Sequence, residues 1–345
     1  MKAYVIDKDI TLPDLSSRLR NDAEEPEADG DHGEILVDVY SSALNFFDIL
    51  QIQGKYQIKK PHPFTLGAEF AGIINEKSPI PEGCDWIPGK TRVFGMANGA
   101  YGERASADWT NVREIPNGIS FEQASGLFVT WPTSYAALKF RANVQPDEWV
   151  LVHAGAGGVG LSAIQIAKAL GAKVIATAGS AEKLKVCIEQ GGADEVVNYR
   201  DKDWQQQVKD KTDGGVDVVY DPVGMIIPSL KFIKWNGRIV VVGFAAGTIE
   251  KIPANLILLK QISVMGVFWG AHIANEPERI PEAWKAIFDL LESKKCKPTA
   301  FDKIYDGLET LPQALKDLQD RKTWGKVVVR LRADPLFPPK GSSKL

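Results

Sequence analysis

The chain has 345 residues, 44% of them hydrophobic and 25% charged, an ordinary globular composition that is long enough for two domains. Its formal net charge is −3 and its basic residues are scattered, which argues against a nucleic-acid partner. Its apolar runs fall short of the roughly 20 residues needed to cross a bilayer, so we expect no membrane span. The three cysteines, Cys84, Cys187 and Cys296, lack the paired spacing of a disulfide framework or zinc knuckle, which indicates a reducing, intracellular setting.

The first third of the sequence predicts an antiparallel β domain. Short runs of alternating polar and apolar residues, separated by turn residues, predict strands at 34–40, 71–75, 92–96 and 111–115. An acidic stretch at residues 21–30 precedes them. We interpret it as a solvated hairpin loop rather than as an acidic recognition site.

The pattern changes near Phe121, where strands begin to alternate with helices. A buried-strand run at 149–153 is followed by a helical period at 159–170 and by a second strand at 173–178. Further β-rich runs follow at 217–220, 239–242 and 262–267. This alternation indicates a parallel, doubly wound sheet.

The last part of the sequence predicts a return to the first domain. Two helices, at 280–292 and 311–320, precede a final strand at 326–331 and a Pro-, Ser- and Lys-rich end that predicts a flexible tail. The predicted domains are a mainly β domain at 1–122 and 276–332, a dinucleotide-binding domain at 123–275 and a tail at 333–345. The predicted fold class is therefore α/β.

A glycine-rich segment follows directly on the predicted strand that ends at His153. It comprises Gly155, Ala156, Gly157, Gly158, Val159 and Gly160, and it leads into the helix at 159–170. In this pattern the first glycine permits a tight turn, the second lets the backbone approach a pyrophosphate, and the third allows close packing of helix on strand. The helix N-terminus then offers unpaired N–H groups to the phosphates, so the segment predicts a dinucleotide site.

The end of the second strand favours NADPH over NADH. A site for NADH usually carries an Asp or Glu here, which binds the ribose 2′-hydroxyl, but this sequence continues with Gly179 and Ser180. Both can donate hydrogen bonds to a 2′-phosphate, and Lys183 supplies a positive charge one turn into the next helix. The alternative is that Lys183 is an ordinary surface lysine.

Several separate motifs together resemble one family. From residue 2 to 331 the chain resembles the zinc-free quinone oxidoreductases of the zeta-crystallin type, within the medium-chain dehydrogenase/reductase superfamily. The motifs that carry this resemblance lie at 45–48 with 54–56, 67–72, 133–138, 217–224 and 325–329. Three more, at 243–247, 252–255 and 266–270, look like the subgroup called quinone oxidoreductase-like proteins.

The resemblance implies a GroES-like catalytic domain, a Rossmann domain, NADPH in the cleft between them, and usually a homodimer or a tetramer. It also implies where the cofactor binds: Asn45, Thr133, Gly157, Gly158, Val159, Gly179, Ser180, Lys183, Tyr199, Gly243, Phe244, Phe268, Trp269 and Lys326. There is one departure, since many relatives carry a Tyr two residues after the Asp of the first motif. Leu50 stands there in this chain, which puts a proton relay through that position in doubt.

The same resemblance predicts that no metal is bound. Zinc-dependent members place a Cys near the Asn45 segment and a His in the turn where this chain has Ala68. A catalytic zinc needs about three protein ligands, and the four histidines and Cys84 offer no cluster at ligand spacing. Without a Lewis acid, the hydride acceptor must itself be electrophilic, as quinones and α,β-unsaturated carbonyls are.

Asn45 and Tyr56 are the candidate catalytic residues. Asn45 could orient the nicotinamide or hydrogen-bond a developing oxyanion, and Tyr56 could steer or protonate the substrate. Each could instead be a packing residue. Positioning of the two reactants would then supply most of the catalysis.

Three functions therefore remain open at this point. The first is reduction of a quinone by NADPH, and the second is reduction of the C=C bond of an enone or enoyl thioester, which needs the same hydride geometry. The third belongs to a different class: a catalytically silent NADPH-binding protein with a structural or regulatory role.

The last three residues predict a location. Ser343, Lys344 and Leu345 form the S-K-L address that the peroxisomal import receptor binds. In a eukaryotic source we expect that receptor as a partner and the peroxisome as the location. In a prokaryote the expected location is the cytoplasm.

Overall fold

The computed structural model describes residues 1–337, and these form two compact units. The first unit consists of Met1–Val129 together with the chain from Ala300 onward, and the second is Thr130–Thr299. Within residues 1–337 the longest α-helix has 14 residues, and no helix combines the length and the apolar character that a membrane span requires.

The N-terminal part of the first unit is built mainly of strands. They are β1 (Ala3–Ile6), β2 (Leu19–Arg20), β3 (Glu34–Ala43), β4 (Phe64–Thr65), β5 (Glu69–Ile74), β6 (Arg92–Met96), β7 (Arg104–Asp108) and β8 (Val112–Glu114). The α-helices of this part are α1 (Phe46–Ile52) and α2 (Phe121–Ala124), and short 3₁₀ helices cover Leu12–Arg18, Gly30–His32 and Trp109–Asn111.

The second unit alternates strands and helices. Its strands are β9 (Trp149–Val152), β10 (Lys173–Ala178), β11 (Glu195–Asn198), β12 (Val216–Asp221), β13 (Ile233–Val241) and β14 (Ser263–Gly266). Its α-helices are α3 (Thr130–Tyr135), α4 (Gly158–Ala169), α5 (Ala181–Val186), α6 (Trp204–Lys211), α7 (Ile226–Ser229), α8 (Ala254–Lys260), α9 (His272–Asn275) and α10 (Arg279–Glu292). Two π-helical turns, Ala136–Arg141 and Cys187–Gly191, and a 3₁₀ turn, Trp269–Ala271, complete it.

The chain then returns to the first unit. It contributes β15 (Tyr305–Asp306), a 3₁₀ turn at Leu308–Thr310, α11 (Leu311–Gln319) and β16 (Val328–Arg330). These strands extend a seven-stranded sheet in the order β15-β16-β3-β5-β6-β8, and β7 pairs with β3. In β3 the residues Ile35, Val37 and Val39 are buried and alternate with partly exposed neighbours, so one face of the strand packs into the core.

The second unit contains a six-stranded parallel sheet. Its order is β11-β10-β9-β12-β13-β14, in which successive strands run outward from β9 in one direction and then in the other. β9 is buried along its whole length, as expected for a central strand with helices on both faces. Ligands of such sheets bind at the carboxyl ends of the strands, where the order reverses. That edge therefore positions the candidate cofactor site.

The predicted α/β class, a mainly β domain with a doubly wound parallel sheet, is confirmed by this architecture. The helix α10, which the sequence analysis placed with the first domain, lies in the second unit, where it contacts α3. Its buried residues Ala283, Trp284 and Ile287 form an apolar stripe. Helical periodicity reveals such a stripe but does not identify the surface that it packs against.

Two further expectations differ from the structure. The acidic residues 21–30 do not form a hairpin, because the preceding strand β2 pairs with β1 and the following strand β3 belongs to another sheet. Residues 333–337 are not a free tail, because Asp334 is buried and its carboxylate lies 2.6 Å from the Arg92 guanidinium. Ser343, Lys344 and Leu345 lie outside the described residues.

Candidate active site

The glycine loop that follows β9 is shaped by close backbone contacts. The positive φ of the turn, +48°, falls on Ala154 rather than on Gly155. A methyl group on Gly155 would lie 2.8 Å from the Cβ of Ala176 in β10, and one on Gly160 would overlap the Ala154 carbonyl oxygen. Gly155 is therefore required for packing on the neighbouring strand, and Gly160 for packing of α4 against the turn.

Gly157 is different, because a methyl group there would meet only the Ala154 oxygen, at 3.3 Å. Gly157 is the N-cap of α4, so Gly158 and Val159 begin the helix, and the preceding Ala156 is buried. The helix has 12 residues. Its first backbone N–H groups have no carbonyl partner within the helix, which suits an anion.

Buried hydroxyl groups tie the segment around Thr133 to this loop. Ser134, which follows Thr133 on α3, lies 2.8 Å from the Ser162 hydroxyl on α4 and 2.9 Å from the Tyr220 hydroxyl on β12. Its hydroxyl also donates to the Val159 carbonyl. Thr133 itself is partly exposed.

The tips of β10 and β11 lie side by side, because Ala178 pairs with Asn198 in the parallel register. Gly179 and Ser180 follow β10, and Tyr199 follows β11. A methyl group on Gly179 would lie 2.5 Å from the Tyr199 hydroxyl oxygen, so only glycine lets Tyr199 close over this turn. The Ser180 hydroxyl accepts the Lys183 backbone N–H at 3.3 Å and caps α5.

The remaining predicted residues of the second unit follow β13 and β14, which pair with Val241 opposite Gly266. Gly243 and Phe244 come after β13, while Phe268 and Trp269 come after β14. Phe268 is 57% exposed, and Trp269 packs on His272 with ring centroids 4.7 Å apart. The structure thus brings the predicted residues of this unit, apart from Thr133, to the carboxyl edge of one sheet.

β12 ends at the same edge in a rigid turn around a buried carboxylate. Asp221 accepts three backbone N–H groups, from Val223 and Gly224 at 2.9 Å and from Met225 at 2.6 Å. His153, just after β9, is buried between the Thr177 and Ser229 hydroxyls at 3.0 and 2.9 Å. Burial lowers the pKa of His153 to about 4, so its imidazole is neutral and serves as a packing group.

In the first unit, a buried network of charged and polar groups surrounds Asn45. The Lys326 ammonium donates to Glu69 Oε2 at 2.6 Å and to Asn45 Oδ1 at 2.8 Å, and Asn45 Nδ2 donates to the same Glu69 oxygen at 2.7 Å. The other Glu69 oxygen accepts the Val129 N–H at 2.7 Å. Glu69 is 0% and Lys326 6% exposed, so both side-chain groups of the Asn45 amide are held by buried charges.

The first turn of α1 carries a second buried carboxylate. Asp48 Oδ2 accepts the Asn45 backbone N–H at 2.8 Å and the Tyr101 hydroxyl at 2.6 Å, which fixes the start of the helix. Asp48 Oδ1 has no hydrogen-bond partner among residues 1–337. Burial raises the pKa of Asp48 to about 6.

Tyr56 lies apart from this hydrogen-bonded network. Its ring stacks on Phe47 with centroids 5.3 Å apart, and it lines a pocket of about 200 Å³ together with Lys60 and His62. Burial and the nearby Asp48 charge raise the pKa of Tyr56, so the phenol keeps its proton at neutral pH. Burial also lowers the pKa of Lys60. Leu50 accepts the backbone N–H of Tyr56 but offers no side-chain proton relay.

No group of three or more His, Cys, Asp or Glu side chains in residues 1–337 is arranged to hold a metal ion. At the two positions where the sequence analysis expects zinc ligands in relatives, the structure has an amide that bonds to Glu69 and Lys326, at Asn45, and a buried methyl group at Ala68.

Together, the parallel sheet with its glycine loop and the buried Asn45 segment define the medium-chain dehydrogenase/reductase class. Residues 31–117 match the family described as alcohol dehydrogenase GroES-like domain, and residues 158–291 match the family described as zinc-binding dehydrogenase. Within that class, the chain belongs to the zinc-free quinone oxidoreductase family.

Quinone oxidoreductase-like protein 2 of Bos taurus is 38% identical over 307 residues, which cover 87% of this chain and 85% of the relative. Among solved structures, the quinone oxidoreductase of Escherichia coli complexed with NADPH is 31% identical with a TM-score of 0.83, over 96% of this chain and 100% of that one. The Thermus thermophilus quinone oxidoreductase, also solved with NADPH, is 30% identical with a TM-score of 0.80 over the same shares.

Three residues of the Asn45 network were not singled out by the sequence analysis: Asp48, Glu69 and Tyr101. Asp48 and Glu69 lie inside motifs that carry the family resemblance, so the sequence marked both positions but assigned neither residue a role. Tyr101 lies 53 residues after Asp48 and has no local pattern that would mark it. Only the packed structure brings it to the carboxylate.

Proposed function

We propose that this chain is an NADPH-dependent oxidoreductase that transfers hydride to a quinone without a metal. The observation that carries the proposal is the chemistry at the tips of β10 and β11. Gly179 and Ser180 stand where an acidic residue would favour NADH, and Lys183 follows one turn later. The two related structures solved with NADPH support the same cofactor.

The residues of the second unit fit this cofactor at each of its parts. Gly157, Gly158 and Val159, at the start of α4, would hold the pyrophosphate on backbone N–H groups. Gly179, Ser180, Lys183 and Tyr199 would hold the 2′-phosphate of the adenosine, and Gly243, Phe244, Phe268 and Trp269 would flank the nicotinamide half. When bound, NADPH supplies the hydride.

The first unit offers hydrogen-bond donors for the acceptor substrate. Asn45 Nδ2 has two hydrogens, of which one is donated to Glu69, and the Lys326 ammonium has three, of which two are donated to Glu69 and Asn45. Because Glu69 fixes both groups, the remaining N–H groups are preorganised to stabilise a negatively charged oxygen. Tyr56, which keeps its proton, could protonate or steer the substrate from the adjacent pocket.

These donors suit an acceptor that is already electrophilic. A quinone develops negative charge on oxygen when it receives hydride, and donors fixed around Asn45 stabilise that charge without a Lewis acid. Steady-state oxidation of NADPH by the purified chain with quinones, enones and enoyl thioesters tests the proposal. We expect turnover with quinones. Turnover only with enones or enoyl thioesters would make a C=C bond the acceptor, and NADPH binding without any turnover would indicate a silent binding protein.

The cofactor preference has its own test. We expect NADPH to bind at least about tenfold more tightly than NADH, equivalent to about 1.4 kcal/mol, and Lys183→Ala to remove most of that ratio. Lys185→Ala is the matched control, because Lys185 lies two residues further on α5, is exposed and lies 3.6 Å from Glu189. Equal affinity of the wild-type chain for the two cofactors, measured by calorimetry, would contradict the assignment.

A further inference from the structure

Arg200 lies at the tip of β11, beside the turn that follows β10. A methyl group on Gly179 would lie 3.2 Å from Arg200 Nε and 2.7 Å from Tyr199 Cζ, so both side chains lie against this glycine. Asn198 Oδ1 accepts the Arg200 backbone N–H at 3.1 Å, which holds the turn that presents the side chain. The guanidinium is therefore positioned at the carboxyl edge of the sheet.

The charge of this guanidinium is not compensated within residues 1–337, where it forms no ion pair with a carboxylate. Other arginines of the chain do form such pairs. Arg238 lies 2.5 Å from Glu148, and Arg330 lies 3.0 Å from Asp306. Arg200 is exposed and its side-chain N–H groups are available to an anion.

We infer that Arg200 is a second cation, beside Lys183, that binds the 2′-phosphate of the cofactor and selects NADPH over NADH. The inference rests on the proposed function, because it requires a dinucleotide at this edge. A guanidinium presents paired N–H groups that match two phosphate oxygens, whereas a lysine ammonium acts as a point charge. Arg200, Lys183 and the Tyr199 hydroxyl would then surround the phosphate that distinguishes the two cofactors.

The competing role for a guanidinium at this place is stacking on the adenine ring. The two roles predict different measurements. Adenine is common to NADPH and NADH, so a stacking contact contributes equally to both. A phosphate contact contributes to NADPH alone.

The test is calorimetric titration of wild type, Arg200→Ala and Arg200→Lys with NADPH and with NADH. We expect Arg200→Ala to weaken NADPH binding severalfold and to leave NADH binding unchanged. The NADPH affinity of Arg200→Lys should lie between those of wild type and Arg200→Ala. Lys202→Ala is the control, because it removes an exposed charge two residues further on and should change neither affinity. The thermal unfolding temperature of each variant should equal that of wild type, which verifies that the variants are folded.

Equal weakening of NADPH and NADH by Arg200→Ala would overturn the phosphate assignment, as would unchanged binding of both. If the wild-type chain binds neither NADPH nor NADH, the proposed function itself is wrong. The wild-type titrations are therefore carried out before those of the variants.

Discussion

The buried ion pair between Lys326 and Glu69 gives a prediction about stability. Replacing Lys326 by Met keeps an unbranched side chain against Gly126, whose added methyl group would lie 2.9 Å from the Lys326 Cβ. The substitution removes the ammonium 2.6 Å from a carboxylate that is 0% exposed. Glu69 then loses its cationic partner.

The magnitude follows from the contacts that remain. Removing one partner of a buried ion pair costs about 3–5 kcal/mol, because the other charge is left uncompensated. Glu69 keeps two hydrogen bonds, from Asn45 Nδ2 and from the Val129 N–H, both at 2.7 Å. These favour the lower end of the range, so we expect Lys326→Met to lower the free energy of unfolding by about 3 kcal/mol.

Urea unfolding of the single and double variants measures this cost. The double variant Lys326→Met with Glu69→Gln removes both charges, and we expect it to recover most of the loss, because a Gln carbonyl oxygen can still accept a hydrogen bond. Lys285→Met is the control: Lys285 lies 2.8 Å from Asp289, but the two side chains are 79% and 60% exposed. Its expected cost is below about 1 kcal/mol. Equal costs for Lys326→Met and Lys285→Met would refute the reasoning.

Two further predictions concern protons and metal. Burial lowers the pKa of His153 from 6.5 to about 4. Between these two pH values the unfolded chain binds a proton that the folded chain does not, so the free energy of unfolding decreases as the pH falls from 6.5 to about 4. The loss reaches roughly 3 kcal/mol near pH 4. The measurement is the difference in unfolding free energy between wild type and His153→Gln, from urea unfolding at several pH values, because this difference cancels the contribution of other groups such as Asp48. A difference that does not change with pH would argue against the prediction. Because Asn45 and Ala68 are not zinc ligands, we also expect no stoichiometric zinc and no effect of chelators on reductase activity; elemental analysis that finds one zinc per chain would contradict this.

The sequence predicted the central sheet well because its strands carry local signals. The predicted strand at 173–178 coincides with β10, and the predicted helix at 159–170 differs from α4 by one residue at each end. An apolar run bounded by glycine or charged residues is sufficient to mark a buried strand. β11 and α6 were not predicted, because a four-residue strand of mixed burial and a polar helix lack a strong period.

The candidate site was predicted as separate positions, and its hydrogen bonds were not. Asn45 and Lys326 were both named, yet 281 residues separate the two side chains that meet at 2.8 Å. Their common partner Glu69 begins β5, where a buried carboxylate has no periodic pattern that would reveal its role. Pairing across such distances in sequence depends on the tertiary packing of three segments.

A member of the zinc-free quinone oxidoreductase family can match a family described as zinc-binding dehydrogenase because of where the match lies. That match covers residues 158–291, which lie in the second unit, whereas Asn45, Ala68 and Glu69 all lie in the first. The shared part is therefore the nucleotide-binding sheet. Beside Asn45, one of the two positions where a zinc ligand is expected in relatives, Lys326 and Asn45 both donate to Glu69 Oε2. A buried carboxylate that is neutralised by a lysine of the same unit needs no metal ion to balance its charge, so the positive charge beside Asn45 is covalently part of the chain.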